Sequence, residues 1–122
     1  MTTQQIADEL VKLCQVGKFH DAIKTLYSPD IVSVEAGAPP GADREAKGLD
    51  AVLAKGDWWV NNHEVHSGSV EGPLVAGNHF CVKFVFDITF KPTGRRYTMQ
   101  ELAMYQVAEG KVVREDFFYS AG

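Results

Sequence analysis

Between Phe80 and Tyr119 apolar and polar positions alternate with a period of two, and the rest of the chain is read around that stretch. Phe80, Val82, Phe84, Phe86, Ile88 and Phe90 alternate with Cys81, Lys83, Val85, Asp87 and Thr89, so one face of this predicted strand is almost wholly apolar. A second strand, Tyr97 to Val107, carries Tyr97, Met99, Ala103, Tyr105 and Val107 on one face, with Glu101 as the carboxylate in that series. A third runs on to Tyr119, and the three are expected to be antiparallel. An apolar sheet face of this extent needs a cover of helices.

Upstream the spacing turns helical. Thr2-Thr3-Gln4-Gln5 fits a capping box, and Ile6, Leu10, Leu13 and Cys14 then share one face until Gly17 stops the helix. Lys18 to Leu26 predicts a short second helix burying Phe19, Ala22, Ile23 and Leu26, ended by Ser28-Pro29. Ile31 to Val34 forms a short strand leading into Glu35. Ala36 to Lys47 holds Gly-Ala-Pro-Pro-Gly and four charges without a period, and reads as a surface loop and a candidate lid. Gly48 to Asn61 predicts a third helix with Leu49, Val52, Leu53, Trp58 and Trp59 on its apolar side and Gly56 weakening its middle. Core packing is the first reading of both tryptophans, with one of them available to wall a pocket. His63 to Glu71 reads as a strand near a sheet edge, and Gly72-Pro73 to Gly77-Asn78 turns the chain into the Phe strand. No repeat, linker or biased tract interrupts residues 1–122, so one domain is expected.

The hairpins decide which faces coincide. A two- or four-residue loop within Lys91 to Arg95 puts Glu101 on the Phe face, and a three-residue loop puts it on the other. Hydrophobic matching aligns the Glu101 series with the Phe face, since Thr98, Gln100, Leu102, Met104 and Gln106 form the more polar alternative. A three-residue turn at Ala108-Glu109-Gly110 would set Val107 opposite Lys111, Tyr105 opposite Val113, Ala103 opposite Glu115, Glu101 opposite Phe117 and Met99 opposite Tyr119. The inner face then gathers aromatic rings with Glu101 and Glu115. Its reverse holds Lys83, Val85, Leu102, Met104, Arg114, Asp116 and Phe118, too apolar for open water and too charged for a core, which suits a homodimer interface.

Composition removes several functions. The net charge is −4 with Lys and Arg scattered, whereas a nucleic-acid partner calls for a basic stripe. No apolar run approaches the roughly 20 residues of a membrane span, and Met1 to Ile6 has neither the basic start nor the apolar centre of a signal peptide. Cys14 and Cys81 have no metal or redox spacing and read as reduced packing residues of a cytoplasmic protein. His63-Glu64-Val65-His66 would place its two imidazoles on opposite faces of a strand, so no metal site is expected, though either ring could line a pocket.

The succession of helix, short helix, strand, loop, helix and four long strands resembles the nuclear-transport-factor-2-like superfamily. More closely, Met99-Gln-Glu101-Leu-Ala-Met-Tyr105-Gln-Val-Ala-Glu109-Gly-Lys-Val-Val-Arg-Glu115-Asp-Phe-Phe-Tyr119, and Gly17 with Ala22-Ile-Lys-Thr-Leu-Tyr27-Ser-Pro-Asp30, resemble the closing hairpin and N-terminal signature of SnoaL-like domains. The resemblance implies an α+β cone, a strongly bent antiparallel sheet with three N-terminal helices enclosing a pocket. It does not fix an activity, because the fold hosts cyclases, isomerases and proteins without assigned chemistry. Aligned with the related ketosteroid isomerases, Glu35 falls at the base and Glu101 at the protonated acid, while their first-helix tyrosine falls at Leu10. Tyr97, Tyr105 or Tyr119 would then have to supply the missing hydroxyl.

Two functions fit this reading. One is an acid–base isomerase or cyclase that needs no cofactor, acting on a small hydrophobic carbonyl or polyketide-like molecule. Glu35 and Glu101 would be its catalytic pair, Tyr105 and Tyr119 its polar anchors, and Trp59, Phe84, Phe86 and Phe117 its walls. Glu115 would join Glu101 across the sheet, against the ordinary reading of a terminal-strand carboxylate as solvated. The other is a ligand-binding or dimerisation module without activity. Its pocket would only bind a ligand or be partly filled by its own side chains; the alternative for Glu101 itself is a place at a wet mouth or a pairing with Arg95, Arg114 or a histidine.

Overall fold

Helix α1 (Thr3–Gln15) begins at the predicted capping box: the Gln5 amide donates to Thr2 Oγ1 at 3.1 Å and the Thr2 amide to Gln5 Oε1 at 2.9 Å. It ends in a Schellman motif in which Gly17, at φ 76°, lets the Lys18 amide reach the Leu13 carbonyl at 2.9 Å. Ile6, Ala7, Leu10, Val11 and Cys14 are buried on one side. The computed structural model describes residues 1–38 and 40–120. Pro39, inside the expected lid, and Ala121 and Gly122, at the end of the expected domain, lie outside the described residues.

The elements continue as α2 (Phe19–Leu26), β1 (Tyr27–Val34), β2 (Glu45–Lys47), α3 (Leu49–Asn62), β3 (His63–Ala76), β4 (His79–Phe90), β5 (Arg95–Ala108) and β6 (Lys111–Phe118). Six strands form one sheet in the order β2-β1-β6-β5-β4-β3. The arrangement is the expected α+β fold, a bent sheet with three helices over its concave side. Phe80, Val82, Phe84, Phe86 and Ile88 of β4 point into the core, where Ile6 and Leu10 of α1 and Val52 of α3 also lie.

Four local expectations are corrected. The sheet is not wholly antiparallel: β1 runs parallel to β6, with Ser33 opposite Glu115 and Val34 opposite Asp116. The Ala36 to Lys47 stretch is not all loop, because β2 returns antiparallel to β1 and starts α3 from its end. Gly72-Pro73 is not the turn but an irregularity within β3, which pairs with β4 as far as Ala76. The last hairpin has a two-residue turn, Glu109 and Gly110 both at positive φ, with Ala108 opposite Lys111. A register shift next to Val107 then sets Tyr105 opposite Glu115 and Ala103 opposite Phe117. The partners of Tyr105 and Ala103 move by two residues and keep their face, so Glu115 and Phe117 stay inward, whereas Val107 meets Val112, one residue from its expected partner.

Several other expectations hold, although β1 starts at Tyr27 and so takes in Ser28-Pro29, which was expected to close α2. A four-residue loop joins Phe90 to Arg95, and Glu101 pairs with Phe84 on the Phe face. Strand β3 is a sheet edge, as expected. Gly56 has a packing use in α3: a Cβ there would lie 3.2 Å from Ile23 Cδ1, so the glycine lets α3 settle on α2. On the convex side Leu102, Met104 and Phe118 are exposed around an Arg114–Asp116 ion pair. No helix is long and apolar enough to cross a membrane among the described residues.

Candidate functional site

The sheet and helices surround a cavity of about 880 Å³, within the range of small-molecule sites. Its lining includes every position singled out above: Glu35, Trp59, Phe84, Phe86, Glu101, Tyr105, Glu115, Phe117 and Tyr119. Trp58 lines it too but is 55% exposed, so the core reading of this ring is wrong; it leans toward Phe90 and His63 at the open side. A second space of about 640 Å³ lies beyond Trp59, His63 and Phe86, and its walls hold no carboxylate or lysine.

Three strands, β1, β5 and β6, and the helix α3 deliver the polar groups. Strand β1 carries Tyr27 and Ser33 and leads into Glu35. Its parallel pairing with β6 brings Ser33 against Glu115. In α3, Val52, Lys55 and Trp59 recur at i, i+3 and i+7, so the helical face that buries Val52 also turns Lys55 toward the cavity.

The result is a chain of hydrogen bonds that runs from the partly exposed Tyr119, Glu35 and Lys55 to the buried Ser33, Glu115 and Tyr27. Tyr119 donates to Glu35 Oε2 at 2.9 Å, and Lys55 Nζ pairs with Glu35 Oε1 at 2.7 Å. Lys55 also donates to Ser33 Oγ, which donates to Glu115 Oε1 at 2.7 Å. Tyr27 donates to Glu115 Oε2. The Lys55 ammonium lies 5.0 Å from the centre of the Phe117 ring.

Glu115 is 2% exposed, so the solvated reading of it fails. Burial pushes its carboxyl above the ordinary range, opposed by the Tyr27 and Ser33 hydroxyls and by Lys55. Tyr27 and Tyr105 are both pushed well above the ordinary phenol range, first by burial and then by the Glu115 charge. Tyr105 stacks on Phe80 at 4.7 Å. Burial, reinforced by Glu115, likewise pushes the Cys14 thiol to about 12, leaving it protonated and inert.

Glu101 differs from these neighbours. Among the described residues it has no hydrogen bond or ion pair, so neither Arg95, Arg114 nor a histidine holds it. No sealed side-chain polar atom among the described residues lacks a partner, so the Glu101 carboxyl opens onto the cavity. Burial, then the charges of Glu35 and Glu115, raise its pKa from 4.5 to about 8 against the opposing pull of Lys55. It is therefore mostly a neutral carboxylic acid at pH 7.

The histidines separate as the strand period requires. His63 is buried, stacks on Trp59 at 4.4 Å and donates through Nδ1 to the Trp59 carbonyl. His66 is exposed and meets Thr89 Oγ1 at 2.7 Å. Among the described residues no three His, Cys, Asp or Glu side chains cluster as metal ligands.

Sequence reasoning missed Lys55, Ser33 and Tyr27. The helical spacing of Lys55 from Val52 and Trp59 was a usable signal. Nothing local marked Ser33 or Tyr27, whose positions depend on pairing between the chain's first and last strands.

The SnoaL-like domain family matches residues 1–119. A solved structure from Mesorhizobium loti, provisionally named a SnoaL-like polyketide cyclase, is 42% identical, with coverage of 98% of this chain and 100% of its own and a TM-score of 0.91. A Bacillus subtilis structure, provisionally named an isomerase, is similar in fold at 17% identity, 98% and 90% coverage and TM-score 0.78. A Catenulispora acidiphila protein with a ketosteroid-isomerase-like fold, solved with trimethylamine, is similar at 17% identity, 94% and 88% coverage and TM-score 0.73. No curated protein is significantly similar to the chain.

Proposed function

The chain belongs to the SnoaL-like domain family, and from that premise we propose that its cavity takes a small, mainly apolar carbonyl compound on which Glu35 and Glu101 act as base and acid. The observation that carries this reading is Glu101: unpartnered, open to a ring-lined cavity, and raised to about 8. Such a group donates a hydrogen bond at neutral pH where an ordinary carboxylate only accepts one.

In the proposed step Glu35 takes a proton from the carbon next to the carbonyl. The C–H bond breaks, an O–H bond forms on Glu35, and the electron pair becomes an enolate whose oxygen is met by the Glu101 O–H. Returning the proton to another carbon gives isomerisation; attack of the enolate on a second carbonyl carbon, whose oxygen then takes the proton from Glu35, gives cyclisation. Tyr119 and Lys55 orient Glu35, and the rings of Phe84, Phe86, Trp59 and Phe117 exclude water, which strengthens the Glu101 contact. Tyr105 and Glu115 form the floor.

The test is deuterium exchange at the α-carbon of apolar cyclic ketones in D₂O, followed by proton NMR. Exchange should be accelerated by the wild type, lowered at least roughly 100-fold by Glu35→Gln or Glu101→Gln, and lost above about pH 8 as Glu101 ionises. Equal exchange in all three proteins rejects the acid–base role.

The Lys55–Glu35 ion pair favours a second reading, because it engages the proposed base. Under it the cavity binds a ligand without turning it over, and exchange is absent while binding persists. In either case the convex face, with Leu102, Met104 and Phe118 exposed, is proposed to meet a second copy of the chain.

A further inference from the structure

The inward side of β5 runs from one chemistry to another. Arg95, Tyr97, Met99 and Glu101 all line the cavity and pair in turn with Phe90, Ile88, Phe86 and Phe84 of β4. The six steps from Arg95 to Glu101 span roughly 20 Å of strand. Arg95 lies at the hairpin and is exposed, with its guanidinium 5.0 Å from the centre of the Tyr97 ring. Among the described residues that guanidinium has no ion pair or hydrogen bond. Its neighbour Arg96 points to the other face, where Asp87 takes it at 3.0 and 2.8 Å. The deep end is the opposite: Glu35, Glu101 and Glu115 face a single ammonium, Lys55.

We propose that the cavity takes elongated, two-ended molecules, with a neutral carbonyl or hydroxyl at the Glu101 end and an anionic group, a carboxylate or its equivalent, on Arg95. The proposal rests on reading the cavity as a ligand site and adds the charge and orientation of its ligand. Two opposing fields set that orientation. An anion pushed inward would meet Glu35, to which the ammonium of Lys55 is already paired, whereas at the mouth it meets a guanidinium 5.0 Å from the centre of the Tyr97 ring with its donors free. Between the two lie Tyr97, Met99, Phe86 and Phe84, which suit an apolar middle. Arg95 is thus a specificity-determining residue, and the neutral end is the one presented to Glu35 and Glu101.

Two rigid probes test this by calorimetry at pH 7: 4′-hydroxybiphenyl-4-carboxylate and its neutral counterpart 4-phenylphenol. The acid should bind roughly fivefold more tightly than the neutral phenol, with a preference that shrinks in salt. Arg95→Gln should erase that preference. Arg96→Gln, which alters the same hairpin on its other face, should keep it. Equal binding of the two probes, or a preference that survives Arg95→Gln, overturns the role of Arg95 while leaving the acid–base reading standing. Binding of neither probe overturns both.

Discussion

Carboxylates on the two faces of the same strands meet opposite fates. On the convex face Asp87 and Asp116 each receive a two-pronged arginine, from Arg96 and Arg114, at 2.8 to 3.0 Å. The Arg96 contact holds the Asp87 carboxyl below its ordinary range. On the concave face Glu115 has hydroxyl partners and Glu101 has no partner among the described residues, and both are raised. Side-chain type is nearly constant across this comparison, so the surroundings make the difference. Water and a guanidinium favour the charged form outside, and rings and desolvation favour the neutral form inside. A strand that alternates faces places both environments one residue apart.

The largest effect that tests this contrast is at Glu115. Glu115→Ala removes the acceptor for two buried hydroxyls and should cost about 3 kcal/mol or more in denaturant unfolding, with Glu115→Gln costing less. Glu101→Gln should give a smaller effect that depends on pH. The folded chain holds the Glu101 proton up to about pH 8, whereas the unfolded chain releases it near 4.5. Between those values the folded state binds the extra proton, so wild-type stability falls as pH rises and is flat above that window. The variant should match the wild type near pH 4.5 and pull ahead of it progressively as pH rises to about 8. The smallest effect is on the other side: Arg114→Gln removes a convex-face pair and should change stability by about 0.5 kcal/mol or less. If Arg114→Gln costs as much as Glu115→Ala, the two faces do not differ as described.

How much of this could be read from the chain alone follows the range of the interactions. The capping box, the Gly17 stop and the Phe strand are local patterns, and each appears in place. The facing of Glu101 was also legible, because hydrophobic matching selected a register that a four-residue loop then satisfied. The last hairpin was misjudged because Glu109 accepts a left-handed conformation beside Gly110, which shortened the turn, and a register shift restored the inward set. The polar chain through Tyr27 and Ser33 was not legible, and of Lys55 only its place on the cavity-facing side of α3 was. The polar chain forms only when β1 docks parallel to β6, more than 80 residues away in sequence, and when β2 sets α3 so that Lys55 reaches Glu35. Local spacing carries no information about such a pairing.

The proposed chemistry depends above all on the proton of Glu101. Its most direct test is a ¹³C NMR titration of the glutamate side-chain carboxyls, with the Glu101 signal assigned by its loss in Glu101→Gln. A midpoint near 8 is the predicted result. A midpoint near the ordinary 4.5 would mean that this carboxyl is a solvated anion at neutral pH, and the proposed acid would not exist.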